Sequence, residues 1–245
     1  PALQPDGRIL VGLVSTNSLL NIHVITRLLA NGAPDPSFAA ALQIGRTRTV
    51  ILQSDGYILM GGNYDRSWWS GPDQVTNNAL VRLRPDGAVD TNFNAGTFLP
   101  RGYYFDLPST VETLALQADG RILAGGTFTS VAGHSCDRII RLNTNGTSDA
   151  EFFRPANIDT NDNASVWAIV LQPEGKLLVG GSFSSLQGVP RNSLTRLNPD
   201  GTVDLTFQSP FAPGAVVRAI ELAPNGQYYI GGGQLGFLGY GTSNF

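Results

Sequence analysis

The chain contains little of the chemistry from which active sites, metal clusters and membrane anchors are usually built. Cys136 is the only cysteine, which excludes an intramolecular disulfide and a cysteine-based zinc cluster. His23 and His134 are the only histidines, and Lys176 is the only lysine. Charged residues make up 14% of the chain against a usual value of about a quarter. No apolar run reaches the roughly 18 residues that a membrane span requires. With scattered arginines and a net charge of −3, the sequence predicts neither a membrane span nor a nucleic-acid partner.

His134 and Cys136 are two positions apart, so a base and a nucleophile could face the same way if this segment were a regular strand. We interpret them instead as a loop histidine and a small, partly buried thiol.

What the sequence has in abundance is a repeated turn between short apolar runs. The clearest copy, Val166 to Phe207, contains Pro173-Glu174-Gly175 and later Pro199-Asp200-Gly201. Such steps predict β-hairpins, because glycine supplies the positive φ that a tight turn demands. The first turn recurs at Asp6-Gly7, Asp55-Gly56, Asp119-Gly120, Glu174-Gly175 and Asn225-Gly226, and the second at Asn31-Gly32, Asp86-Gly87, Asn145-Gly146 and Asp200-Gly201.

Each second turn has the same four side chains around it. An Arg-Leu pair precedes it, and an Asp and a Phe follow it, as with Arg82, Leu83, Asp90 and Phe93. The arginines recur at intervals of 55, 59 and 55 residues, at Arg27, Arg82, Arg141 and Arg196. Four-stranded units of this length predict the blades of a β-propeller. A three-residue turn would place Arg82 opposite Asp90 and Leu83 opposite Val89, so we expect the charge pair to be structural.

The amino-acid sequence of these repeats resembles that of a known family. LQPEGKLLVGGSF followed by RLNPDGTVDLTF is similar to the delta-60 repeats of bacterial β-propellers, and the resemblance covers nearly the whole chain. Gly12-Leu13 departs from the usual Gly-Gly, and the last copy has no Arg-Leu hairpin. The resemblance implies an all-β propeller of four-stranded antiparallel blades in a secreted or cell-surface protein. It carries over no catalytic residue.

The repeats predict a single propeller array over residues 1–245, with units at roughly 1–38, 39–93, 94–152, 153–207 and 208–245. This gives about five blades, the last incomplete, or a fragment of a larger propeller. A β-solenoid is the least favoured alternative. Because the first repeat begins in mid-strand, we expect the chain to be part of a larger multidomain protein.

The turns also predict which face carries function. In an antiparallel blade all the tight glycine turns share one face and all the long connections share the other, and loops carry function more often than their framework does. The longest connections, 63–78 and 94–110, are rich in aromatic and polar residues. Such rings suit sugar faces or protein hot spots, although they could instead form a small local core. The candidate ligand-binding residues are Trp68, Trp69, Tyr103, Tyr104 and Asp106.

A third insertion contains Asp159, Asn161 and Asn163 at alternate positions, as at the start of a calcium loop. Ala164 stands where the EF-hand needs glycine, and Val170 where it needs glutamate. We therefore predict an Asx-rich turn without metal, and no cofactor.

The sequence favours a non-catalytic extracellular binding or adhesion module, with a glycan or protein ligand on the long-connection face. A structural segment of a surface assembly is the first alternative. A propeller-type glycoside hydrolase is the second, but nine acidic residues outside the repeat positions form no recognisable catalytic pair.

Overall fold

A computed structural model describes residues 2–15, 22–38, 43–44, 46–63, 79–99, 109–136, 138–152 and 164–234. In these ranges all regular secondary structure is antiparallel β-strand. None of the described segments is a helix of the length and apolarity needed to cross a membrane. The all-β prediction is confirmed.

The strands follow the repeats in order. Repeat one has β1 (Ala2–Leu3), β2 (Ile9–Ser15) and β3 (Ile22–Leu28); repeat two has β4 (Gln43–Ile44), which pairs with β3, and β5 (Arg46–Leu52), β6 (Ile58–Asn63) and β7 (Leu80–Leu83). Repeat three has β8 (Phe98–Leu99), β9 (Val111–Leu116), β10 (Ile122–Gly126), β11 (Ser130–Val131), β12 (His134–Ser135) and β13 (Ile139–Leu142). Repeat four has β14 (Val166–Leu171), β15 (Leu177–Gly181), β16 (Ser185–Leu186), β17 (Val189–Pro190) and β18 (Leu194–Leu197), and repeat five has β19 (Val216–Leu222) and β20 (Tyr228–Gly233). The main sheets have the simple orders β1-β2-β3-β4, β5-β6-β7, β9-β10-β13, β14-β15-β18 and β19-β20.

The second hairpin of each repeat forms as predicted, but its outer arm is short. Leu83 pairs with Val89 in an isolated bridge, and the same bridge recurs at Leu28–Pro34, Leu142–Ser148 and Leu197–Val203. Directly afterwards Asp90 accepts hydrogen bonds from the N–H groups of Asn92 and Phe93. This turn directs the chain out of the sheet, so each of the first four repeats has three strands in its main sheet and a single-residue bridge in place of a fourth.

The predicted contact across this hairpin is confirmed. Arg82 Nε donates to Asp90 Oδ2 at 2.7 Å, and the guanidinium lies over the Phe93 ring at 4.6 Å. The same arrangement holds in all four second hairpins. The Arg Nε to Asp Oδ2 distance is 2.8 Å for Arg27–Asp35, Arg141–Asp149 and Arg196–Asp204.

The long connections of repeats three and four contain short hairpins that the sequence analysis did not predict. Ala132-Gly133 and Gln187-Gly188 have positive φ and join β11 to β12 and β16 to β17. In repeat three β11 also pairs with β8. The connection of repeat three is also tied to the next repeat, because the fully buried Arg138 donates from Nε to the Ala164 carbonyl at 2.8 Å.

The core lies between adjacent repeats. Each of the four buried clusters draws apolar side chains from two successive repeats, as with Leu59 and Leu114 between repeats two and three. The strands that lead into the first tight turn of repeats two to five also pack side by side, β5 on β9, β9 on β14 and β14 on β19. These strands are called inner strands below.

The two tight turns of each repeat lie together. A methyl group built on Gly56 would lie 3.3 Å from Pro85, and one on Gly175 would lie 3.5 Å from Pro199. Since the inner strand ends at the first of these turns, its start lies at the opposite end of the blade. The inner strands thus start at the long-connection face, but the connection of repeat four does not stay there, because Gln187 Nε2 donates to the Gly201 carbonyl of the second tight turn at 2.6 Å. The number of blades and the repeat boundaries stay predictions.

Candidate functional site

The five candidate ligand-binding residues, Trp68, Trp69, Tyr103, Tyr104 and Asp106, lie outside the described residues. The same holds for the Asp159 to Asn163 segment of the calcium-like loop. Their roles stay predictions. The structure does describe the strand ends between which these connections run.

Those strand ends carry a feature that the sequence analysis missed. Near its start each inner strand of repeats two to five has a β-bulge, in which one residue is extra relative to the neighbouring strand. The extra residues are Arg48, Glu112, Trp167 and Arg218. Bulges are frequent next to binding and active sites, because they redirect a side chain away from the regular alternation.

The Gly-Gly pair of the second strand explains why the bulge recurs. In repeat three, a methyl group on Gly126 would collide with the Thr110 carbonyl oxygen, and in repeat four one on Gly181 would collide with that of Ser165. Only glycine therefore allows the backbone to approach closely enough for the bulge. The Thr127 N–H then donates to the Thr110 carbonyl at 3.0 Å, which fixes the start of the inner strand.

The four extra residues interact with each other, and we call them the inner-strand cluster. Arg48 Nε lies 3.6 Å from Glu112 Oε2, and the Arg218 guanidinium lies 4.1 Å above the Trp167 ring. The Glu112 side chain is 18% exposed, while Arg48 and Arg218 are exposed. Burial raises the pKa of Glu112, against the lowering effect of the nearby Arg48 and Arg218 charges. Side chains from repeats two, three, four and five thus meet in one patch.

This patch has more positive than negative charge. It holds two guanidinium groups and one carboxylate, and in the described part of the chain Glu112 receives no hydrogen bond. The cluster could therefore attract an anionic group and still offer carboxylate oxygens to a hydrogen-bond donor.

The tight-turn face offers a different surface. An open cavity of about 910 Å³ lies between the first turns of repeats one to three and contacts Arg27, Arg82 and Pro85. Its carboxylates already have partners within their own turns, since Asp6 and Asp119 each accept the N–H two residues on at 3.0 Å. The Oε1 atoms of Gln4 and Gln53 are buried without a hydrogen bond but are closed to solvent, so they offer a ligand nothing.

Two further candidate sites can be assessed. His134 is exposed but lies on the short strand β12 rather than in a loop, and Cys136 is 3% exposed and belongs to the apolar core of repeats two and three. Within the described ranges no group of three or more His, Cys, Asp or Glu side chains could hold a metal ion.

Of the nine acidic residues outside the repeat positions, the structure describes Glu112, Glu151 and Glu221. Glu112 lies near the start of an inner strand, Glu221 lies near the tight-turn end of another, and Glu151 belongs to the turn at Asp149. A glycosidase needs two carboxylates about 5 to 10 Å apart across the scissile bond. These three glutamates lie at different places in the repeats, and the absence of enzymatic activity stays a prediction.

Comparison with protein families gives one match. A model described as a domain of unknown function (DUF5122) β-propeller matches residues 4–38, 53–93, 117–152 and 172–207. These ranges cover the two tight turns of repeats one to four, and together they make up more than half of the chain.

Solved structures include distant likenesses. The extracellular domain of a one-component system from B. thetaiotaomicron is 14% identical over 94% of this chain and 32% of its own, with a TM-score of 0.39. The extracellular domain of a hybrid two-component system from the same organism is 11% identical over 93% of this chain and 29% of its own, with a TM-score of 0.23. The chain thus spans about a third of the length of these structures. A comparison with curated proteins gives no match.

Proposed function

Because the chain belongs to the DUF5122 β-propeller family, we propose that it is a non-catalytic extracellular binding or adhesion module that presents its long-connection face to a glycan or protein ligand. The extracellular location is supported by the resemblance to repeats of secreted and surface proteins. Binding is a common role for loops held on a rigid framework of repeats.

The observation that carries this proposal is the contrast between the two faces. On the tight-turn face, the arginines that recur in the repeats are used within the fold, as in the hydrogen bond from Arg27 to the Pro85 carbonyl of the next repeat. At the opposite end, the inner-strand cluster leaves Arg48 and Arg218 exposed beside a partly buried carboxylate and an indole ring. Side chains that do not serve packing and that converge from several repeats are typical of a binding surface.

The test compares ligand capture by the parent and by a variant of the long connections. The parent and Trp68→Ala/Trp69→Ala/Tyr103→Ala are applied to a glycan array and used in pull-downs, with a second variant, Tyr104→Ala/Asp106→Asn. We expect binding by the parent and its loss or marked weakening in both variants. Tyr229→Ala is the matched control, because Tyr229 is 69% exposed but lies on the last strand of repeat five.

Two outcomes would contradict the proposal. Equal binding by the parent and the long-connection variants would show that the aromatic side chains do not contact the ligand. A parent that captures nothing in either format would favour the structural alternative, in which the repeats only space other parts of a surface assembly.

A further inference from the structure

The inner-strand cluster narrows the class of ligand, and this step rests on the proposed function because it concerns the same face. We propose that the cluster binds an acidic saccharide, whose carboxylate pairs with Arg218 and Arg48. A ligand for this patch must satisfy three different groups at once, and each of them limits its chemistry.

The first requirement is negative charge. The pairing of Arg48 Nε with Glu112 Oε2 is long, at 3.6 Å, and the Arg218 guanidinium is stacked on the Trp167 ring at 4.1 Å. Neither guanidinium is therefore saturated by Glu112. Guanidinium groups bind carboxylates through two parallel hydrogen bonds, and an exposed arginine beside a partly buried site is suited to this pairing.

The second requirement is a hydrogen-bond donor. In the described part of the chain, the Glu112 carboxylate accepts no hydrogen bond and its side chain is only 18% exposed. A partly buried carboxylate without a donor is costly, so a ligand gains affinity if it brings a donor. A second carboxylate would repel Glu112, whereas a hydroxyl group next to the ligand carboxylate would bond to it.

The third requirement is an apolar face. Trp167 is partly buried and is stacked against the Arg218 guanidinium at 4.1 Å, which holds both groups in place. A rigid ring beside a fixed cation suits a flat ligand with C–H groups on one side. Uronic acid rings combine a carboxylate, neighbouring hydroxyls and a C–H face. An acidic peptide supplies the charge but no such ring, and a neutral sugar supplies the ring without the charge.

The test of this proposal keeps all three tryptophans, because the proposed function places Trp68 and Trp69 in the binding surface. The heat of binding is recorded by isothermal titration calorimetry while the unsubstituted 245-residue chain is titrated with trigalacturonic acid, with neutral galactotriose and with a tetraglutamate peptide. We expect a saturable change with trigalacturonic acid and at least about tenfold weaker binding of the other two probes.

Two single substitutions assign the effect to the cluster. Arg218→Gln and Arg48→Gln are each expected to weaken trigalacturonic acid binding by about tenfold or more, since each removes a charge-assisted hydrogen bond. Glu112→Gln keeps the shape of the side chain and serves as the conservative variant. Arg84→Gln is the matched control, because Arg84 is an exposed arginine next to a tight turn. Thermal melting checks that every variant is folded.

The failures of the two proposals can be told apart. No saturable response up to roughly 10 mM trigalacturonic acid, or equal loss in Arg84→Gln, overturns the acidic-saccharide proposal. Equal or tighter binding of the peptide overturns it in favour of an acidic protein ligand. If the array or pull-down still detects a ligand that the long-connection variants lose, the proposed function stands without this ligand class.

Discussion

At the scale of single residues, the same Arg, Asp and Phe hold each of the first four repeats together. The arginine stacks on the phenylalanine ring, with distances of 4.6 to 5.2 Å, and pairs with the aspartate across the hairpin. It also reaches the next repeat, because Arg27, Arg82 and Arg141 donate from Nη1 to the carbonyls of Pro85, Thr144 and Pro199. One side chain thus stabilises a hairpin and a boundary between repeats.

The arginines differ in how many of these contacts they make, which gives a matched pair of substitutions. Arg141→Ala is expected to lower the free energy of unfolding by about 3 kcal/mol, because it leaves the nearly buried Asp149 without its main partner. Arg196→Ala is expected to cost only about 1 kcal/mol, because Arg196 is 23% exposed and Lys176 still donates to Asp204 at 2.7 Å. Urea denaturation measures both, and equal losses would contradict the account.

Acid stability follows from the same aspartates. Hydrogen bonds from the hydroxyl and N–H of Ser37, helped by Arg27, lower the pKa of Asp35 from 3.8 to about 2. The pKa of Asp204 is also lowered, chiefly by Lys176 and Thr206. A carboxyl with a lowered folded-state pKa stabilises the fold above its unfolded pKa, and this stabilisation is lost as the pH falls towards the folded value.

We therefore expect the melting temperature to fall steeply between about pH 4 and pH 2, measured by circular dichroism. Asp35→Asn should be less stable at neutral pH and should lose less on acidification, since it lacks one of these groups. A melting temperature that stays constant down to pH 2 in the parent would show that these carboxylates do not have lowered pKa values.

At the scale of strands, the Gly-Gly pair is the element that couples two repeats. The second glycine permits the bulge, and the first glycine leaves space into which a valine of the following inner strand packs. A methyl group on Gly61 would lie 2.5 Å from Val111 Cγ1, and one on Gly125 would lie 2.5 Å from Val166 Cγ1. Gly12, in the first repeat, has nothing within 4 Å of such a methyl group.

This difference predicts opposite results for two chemically identical substitutions. Gly125→Ala is expected to destabilise the protein by about 1 to 3 kcal/mol through overpacking against Val166. Gly12→Ala is expected to be neutral or to stabilise by up to about 0.5 kcal/mol, because alanine restricts the unfolded chain and meets no neighbour. The comparison uses urea denaturation under identical conditions. A loss of stability in Gly12→Ala as large as that in Gly125→Ala would exclude the packing explanation.

Most of this framework could be predicted from the sequence, because turns and cross-hairpin pairs are local. The sequence Pro85-Asp86-Gly87 specifies a tight turn, and this turn places Arg82 beside Asp90 across the hairpin. The short outer arm was less predictable, since it depends on the competing turn at Asp90. The hairpins at Ala132-Gly133 and Gln187-Gly188 were missed because alanine and glutamine rarely adopt positive φ.

The inner-strand cluster was missed for a different reason. Its members lie in four separate repeats, and only the packing of inner strands brings them together. Aligned copies do contain a signal, because Arg48, Glu112, Trp167 and Arg218 all stand five residues before the first-turn Gln or its equivalent, within apolar strands. Without knowledge of the bulge, the side chain at this position is expected to follow the regular alternation of the strand. The sequence alone therefore gave no reason to connect the four residues.

At the scale of the whole molecule, the repeats are not interchangeable, because they differ on the side that faces the following repeat. In the first four repeats a cross-strand pair on this side is apolar, and in the fifth it is Glu221 and Tyr229. The apolar pairs are Ala2–Leu10, Ile51–Leu59, Ala115–Leu123 and Val170–Leu178. Tyr229 is 69% exposed, and a methyl group on the neighbouring Gly231 would meet only Ala219, at 3.8 Å. The fifth repeat thus differs from the first four in having a polar pair at this position.

Replacing this polar pair tests its role. Glu221→Val/Tyr229→Leu reproduces the Val170–Leu178 pair and would expose it to solvent, so we expect concentration-dependent self-association. Sedimentation velocity over a range of concentrations measures it, with Tyr229→Phe as the control that keeps the ring. If the double variant sediments as the parent does at every concentration, the polar pair is not what prevents self-association through this face.

The central claim is that ligand binding belongs to the long-connection face and is centred on the inner-strand cluster. Calorimetric titration with trigalacturonic acid tests it most directly, on the parent, Arg48→Gln/Arg218→Gln and Arg84→Gln. The account predicts saturable binding by the parent and by Arg84→Gln, and binding at least about a hundredfold weaker in the double variant. Unchanged affinity in the double variant, with the parent and control binding equally, would contradict it.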